Sequence, residues 1–129
     1  MDAGAQLIFL VDDNEVLARF TQKNLQRLVN FEVIVAHTCR DAIAVLHRRK
    51  PDLLLLDVDL PDGDGGDIAA FVRSHPDLKA TPIAFVSGMV RKEEVRSNNG
   101  RIGGELFFAK PLCLADLINV ASKTLVIRK

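Results

Sequence analysis

Oily runs and polar stops follow one another along this chain in a recurring order. Leu7-Ile8-Phe9-Leu10-Val11 gives way to Asp12-Asp13, and Leu53-Leu54-Leu55-Leu56 gives way to Asp57. Ile83-Ala84-Phe85-Val86 stops at Ser87, and Leu106-Phe107-Phe108-Ala109 stops at Lys110-Pro111. Short apolar runs of this kind read as strands buried on both faces of a parallel sheet. With a further run at 31–36, the pattern predicts five strands, over about 6–11, 31–36, a segment ending at Asp57, 82–87 and 105–109.

Helical spacing fills the gaps. A helix is expected over 14–29, capped by Asp13 or Asn14, with Leu17, Phe20 and Leu28 inward. Thr38 caps a second helix, with Asp41 three residues on and Ala42, Val45 and Leu46 as the inner stripe. His47-Arg48-Arg49-Lys50 would form its last turn, where cations suit the helix dipole, and Pro51 stops it. Pro61-Asp62-Gly63-Asp64-Gly65-Gly66 is turn chemistry. A third helix over 66–74 would bury Ile68, Phe71 and Val72. A weak fourth is expected over 91–97, and a last one over 114–126 with Leu114, Leu117, Ile118 and Ala121 on one face. Strands alternating with helices imply right-handed crossovers and a parallel sheet covered on both sides.

The 129 residues suffice for one domain with a real core. A formal net charge of zero offers no global field for nucleic acid or an anionic membrane, so neither is expected as a partner. Cys39 and Cys113 fit no metal spacing or CxxC motif, which suits a reducing cytoplasm. The N-terminus has no basic n-region, and no apolar run approaches a membrane span.

In an open parallel sheet, function gathers outside the carboxyl ends of the strands. The polar stops therefore converge on one edge: Asp12, Asp13, Asp57, Ser87 and Lys110. Alone, each has a plain explanation as a helix cap, loop serine or surface lysine. Asp57 is the least easily dismissed, since no helix follows it directly and a carboxylate after four leucines is costly without a partner. Together these residues can transfer a phosphoryl group. Asp57 is the carboxylate nucleophile. Asp12 and Asp13 with Asp57 form an oxygen-rich nest for Mg²⁺. Lys110 neutralises one phosphoryl oxygen and Ser87 donates to another.

The ordered set resembles the receiver domain of bacterial two-component response regulators over essentially the whole chain. It comprises Asp12-Asp13, Asp57, Pro61 four residues later, Asp64-Gly65, Ser87-Gly88 and Lys110-Pro111. The resemblance implies a single receiver domain over 1–129. Its fold would be a flavodoxin-like three-layer sandwich with a five-stranded parallel sheet of order 2-1-3-4-5. It implies Mg²⁺-dependent phosphorylation of Asp57 by a histidine kinase or histidine phosphotransfer protein. It also implies self-phosphorylation and self-dephosphorylation chemistry short of an enzyme's turnover. The backbone carbonyl of Asp59 would help hold the metal. Ser87 and Phe107 would act as the conformational switch, and the Lys110-Pro111 bond would be cis. Output would go to a downstream protein or a homodimer. Gly63 replaces a usual methionine, which suggests a looser loop. Phe107 has no hydroxyl opposing burial, which favours an inward ring. Whether the chain stands alone or belongs to a longer regulator stays open.

The main alternative is a phosphatase of the haloacid-dehalogenase type, with Asp57 as turnover nucleophile and Asp59 as general acid. Against it, Pro61 replaces the usual Thr or Val, the acidic pair precedes Asp57, and there is no room for a cap domain. A flavodoxin would need a phosphate loop where Asp12-Asp13-Asn14-Glu15 repels phosphate. An EF-hand loop from Asp57 or Asp59 lacks the twelfth-position Glu. His37, His47 and His75 share no metal spacing.

Overall fold

The computed structural model describes residues 6–27, 31–87, 101–102, 105–109 and 115. The main strands are β1 (Gln6–Val11), β2 (Phe31–Ala36), β3 (Leu53–Asp57), β6 (Ile83–Ser87) and β8 (Glu105–Ala109). Between β3 and β6, the two-residue strands β4 (Asp59–Leu60) and β5 (Gly63–Asp64) form a small antiparallel hairpin. The helices are α1 (Glu15–Gln26), α2 (Cys39–Leu46) and α3 (Gly65–Ser74). The sheet runs β2-β1-β3-β6-β8, with every pair parallel. This is the expected flavodoxin-like order 2-1-3-4-5. Beyond it, β7 (Arg101–Ile102) pairs antiparallel with β8 and adds a sixth, edge strand. Two residues carry no periodicity, so sequence pattern missed it.

Side chains alternate across the pleat. Ile8, Leu10, Leu53, Leu55, Ala84, Val86 and Phe108 point to one core, which Ala18 and Leu25 of α1 cover. Phe9, Val11, Leu54, Leu56 and Ile83 point to the other, covered by Ala42 and Leu46 of α2 and Ile68 and Val72 of α3. All four leucines of β3 are fully buried, so an unbroken apolar run is the pattern this strand requires.

The caps follow local chemistry. Asn14 Oδ1 accepts from the backbone N–H of Leu17, and Thr38 Oγ1 accepts from that of Asp41. Asp64 and Asp67 make a reciprocal capping box that starts α3, one residue earlier than expected. Two expectations change. Leu25, with Ala18 and Thr21, forms the buried side of α1, while Phe20 is 64% exposed. Leu17 is half-buried and Leu28 lies outside the described residues, so the correction falls on Phe20, which follows Arg19 outward. Next, α2 ends at Leu46, so His47 to Lys50 follow the last turn instead of forming it. The helices expected over 91–97 and from 114 onward fall outside the described residues, apart from residue 115, and stay as expectations. No helix among the described residues is long and apolar enough to cross a membrane.

Candidate phosphoryl-transfer site

Parallel register carries the polar stops to one edge. Val11 is level with Leu56, Asp57 with Val86, and Ser87 with Ala109. Asp12 therefore stands one residue past β1, Asp57 closes β3 and Ser87 closes β6. Asp12 is 6% exposed, Asp57 3% and Ser87 4%, whereas Asp13 is open to solvent. Asp57 and Ser87 are both engaged by neighbouring groups. Lys110 follows the last residue of β8 and lies outside the described residues, as do Gly88, Pro111 and Cys113.

Asp12, Asp13 and Asp57 each offer a carboxylate oxygen, and the three lie within 4.8 Å of one another. Two of those carboxylates are buried. Such convergence is unfavourable without a cation. An all-oxygen donor set open to water on one side suits a hard ion such as Mg²⁺, which keeps several waters. Asp59 sits exposed on β4, with its N–H donating to Asp57 Oδ1 at 3.3 Å. Its carboxylate is not one of the three that converge.

Backbone bonds hold this edge in place. The N–H of Asp12 extends the β1–β2 ladder to the Ala36 carbonyl, and Asp12 Oδ1 accepts from the N–H of Asn14. The N–H of Val58 extends β3 to the Val86 carbonyl at 3.1 Å. His37 Nδ1 lies 2.8 Å from the Asp12 carbonyl oxygen. A carbonyl only accepts, so Nδ1 carries the proton there. Sequence spacing had no way to pair His37 with Asp12, since they lie on adjacent strand ends 25 residues apart.

Asp62 is a second residue that spacing did not single out. Its carboxylate accepts from the N–H groups of Cys39 at 2.8 Å and Arg40 at 3.0 Å, capping α2 from another part of the chain. These two backbone bonds hold its carboxyl below the ordinary range. Cys39 Sγ sits against the same hairpin, 3.5 Å from the Asp64 carbonyl oxygen. Burial pushes the Cys39 thiol up, and the charges of Asp62, Asp67 and Asp64 push it further. A side chain at Gly63 would have its Cβ 3.0 Å from Cys39 Sγ. The hairpin is therefore tied to α2, and glycine at 63 makes room for the cysteine.

Phe107 is half-buried on β8 and stacks on Phe85 of β6, with ring centroids 5.3 Å apart and planes at 30°. Outside the site, Val16 and Phe20 on α1 are the exposed large hydrophobic side chains among the described residues. They stand one turn and two turns beyond Asp12-Asp13.

The profile of the response regulator receiver domain matches residues 8–122. The luminescence regulatory protein LuxO of Vibrio campbellii is 36% identical over 86% of this chain, which spans only 23% of LuxO's length. The polar-differentiation response regulator DivK of Brucella anthropi is 25% identical over 86% of this chain and 89% of its own. The phosphorylated cyanobacterial phytochrome response regulator RcpA superposes with a TM-score of 0.74 at 26% identity, covering 95% of this chain and 96% of RcpA. The converging carboxylates, the strand order and this family match agree, and the chain belongs to the response regulator receiver domain family.

Proposed function

We propose that residues 1–129 act as a single receiver domain that accepts a phosphoryl group on Asp57 from a phosphohistidine. The observation that carries this reading is the convergence of Asp57 with Asp12 and Asp13 at the carboxyl edge of the sheet. A carboxylate oxygen of Asp57 attacks the phosphorus in line. The P–N bond to the donor imidazole breaks, a P–O bond forms, and the imidazole leaves with a proton. The product is an acyl phosphate, which water later hydrolyses back to the carboxylate.

Asp12, Asp13 and Asp57, with the backbone carbonyl of Asp59, would hold Mg²⁺. The ion, when bound, neutralises charge on the phosphoryl oxygens and offsets repulsion among the carboxylates. Asp12 is fixed by its bonds to Ala36, Asn14 and His37 and needs no reorganisation to take part. Ser87, buried at the end of β6, donates its hydroxyl to one phosphoryl oxygen, and Lys110 balances another. Movement of Ser87 toward the phosphoryl group makes space that Phe107 fills, and the signal leaves by that face. The donor is a histidine kinase or a histidine phosphotransfer protein. The receiver of the signal is a downstream protein or a second copy of the chain, in the cytoplasm. Asp57 is consumed and restored once per signal, so the protein is not a turnover enzyme. The haloacid-dehalogenase alternative gains no support from the family match.

Incubation with Mg²⁺ and acetyl phosphate, followed by borohydride trapping and mass spectrometry, should label Asp57 and nothing else. Asp57→Asn protein should take no label. Equal labelling of that variant sinks the assignment. Steady phosphomonoester turnover near the enzyme-typical rate of about 10 per second would revive the phosphatase.

A further inference from the structure

The first residue of α3 lies against the backbone of Asp57. Gly65 is buried, and its N–H donates to the Val58 carbonyl at 2.9 Å. A Cβ at this position would stand 2.6 Å from the Asp57 carbonyl oxygen, 3.3 Å from its carbonyl carbon and 3.4 Å from Leu56 Cβ. The obstacle is main chain at the end of a central strand, so no rotamer change can relieve it. Val58 is in turn bonded to Val86, which removes the easy direction of retreat. The backbone of Gly65 does not occupy the left-handed region, so conformational freedom does not explain the glycine. Helix propensity argues against it, since glycine is the poorest helix former after proline. Gly66 offers the contrast: its Cβ would meet Asp64 Oδ1 at 2.9 Å, so a side chain there strains the α3 cap, at some cost in stability, without pressing on the Asp57 main chain.

We propose that Gly65 is a positioning residue for phosphoryl transfer, whose missing side chain lets α3 seat against the Asp57 peptide and so sets where the Asp57 carboxylate meets Asp12 and Asp13. The proposal rests on Asp57 being the phosphoacceptor. Restoring an ordinary 3.4 Å contact to a Cβ at 65 would take a displacement of about 0.8 Å. Metal sites hold their ligand distances within about 0.2 Å. A misplacement of about 1 Å costs on the order of a hundredfold in rate. Any side chain at 65 therefore disturbs the carboxylate more than the site can absorb.

The test compares wild-type protein, Gly65→Ala and Gly66→Ala. Mg²⁺ affinity is read by NMR titration of the metal alone. Labelling rate by acetyl phosphate is read at saturating Mg²⁺, and circular dichroism reports the fold. Gly65→Ala should keep its fold, lose about tenfold or more in Mg²⁺ affinity, and label on the order of a hundredfold more slowly. Gly66→Ala should match wild type in both. The proposal is overturned if Gly65→Ala matches wild type in both readouts, or if Gly66→Ala loses as much. It also fails if Gly65→Ala is unfolded at saturating Mg²⁺, because the glycine then serves the fold and not the carboxylate. Wild-type protein that takes no label would defeat the phosphoacceptor reading and with it the role in transfer, while the Mg²⁺ titration would still show whether Gly65 sets the spacing of the three carboxylates.

Discussion

Asp62 shows what a single exposed carboxylate does when it is held by backbone. It closes two N–H groups at the start of α2, which belongs to a different part of the chain from its own hairpin. Those bonds depress its folded pKa below the unfolded value. Its contribution is therefore complete above the unfolded carboxyl pKa and is lost as pH falls through the folded one. Asp62→Ala should lower the melting temperature at pH 7, and the gap to wild type should close as pH drops below about 4. Thermal melts between pH 7 and 3 measure this, and a gap that stays constant across the range would refute it. Cys39, beside the same hairpin, behaves in the opposite sense. Its raised pKa leaves little thiolate at neutral pH, so burial and chemistry both make it a packing residue.

The helix α1 separates two jobs that one hydrophobic stripe would have merged. Its buried side is Ala18, Thr21 and Leu25, while Val16 and Phe20 stand 81% and 64% exposed. Both follow directly from the segment that carries Asp12 and Asp13. A protein that delivers a phosphohistidine to Asp57 must cover the carboxyl edge of the sheet, and its rim would rest on these side chains. Phe20→Ala should therefore slow transfer from a phosphohistidine protein about tenfold, equivalent to about 1.4 kcal/mol. Labelling by acetyl phosphate should be unchanged, since that donor needs no docking surface. Stability should change by less than about 0.5 kcal/mol, as expected for an exposed side chain. Equal loss with both donors would place Phe20 in the fold instead of the interface. Across the sheet from α1, Phe85 packs against the other core and stacks on Phe107, linking β6 to β8 and giving Phe107 an apolar partner in its half-buried position.

At the scale of the whole molecule, the site and the fold oppose each other. Three carboxylate oxygens within 4.8 Å of one another repel, least strongly at Asp13, which water screens. That cost is borne by the folded state alone. A cation that binds the folded site and not the open chain stabilises the fold, so Mg²⁺ at ten times its dissociation constant should add about 1.4 kcal/mol. Melts should show a rise of roughly 3–6 °C on adding the metal. Asp57→Asn should begin with a higher melting temperature than metal-free wild type and respond less to Mg²⁺. A metal-free variant that melts below wild type would argue against a shared, repelling pocket.

Much of this was already written in the order of residues. Apolar runs of strand length, each closed by an acid, a hydroxyl or an amine, determine a parallel sheet whose carboxyl edge is polar. The parallel pairing, the caps at Asn14 and Thr38, and the gathering of Asp12, Asp13, Asp57 and Ser87 at that edge agree with that pattern, whereas the strand order was expected from the family resemblance alone. They were legible because period, strand end and cap are local properties. Contacts between distant segments were not legible. Nothing in the spacing says that Asp62 caps α2, that His37 holds the Asp12 carbonyl, or that Cys39 fills the space beside Gly63. Periodicity also could not choose between the neighbouring stripes of α1, because Phe20 and Leu25 are both apolar and only packing on the sheet selects one. Gly65 is the clearest case: in sequence it is a turn residue and half of the Asp64-Gly65 match to the family, with nothing to say what its missing side chain leaves room for. Only in the folded chain does the Asp57 carbonyl occupy the space where its side chain would be.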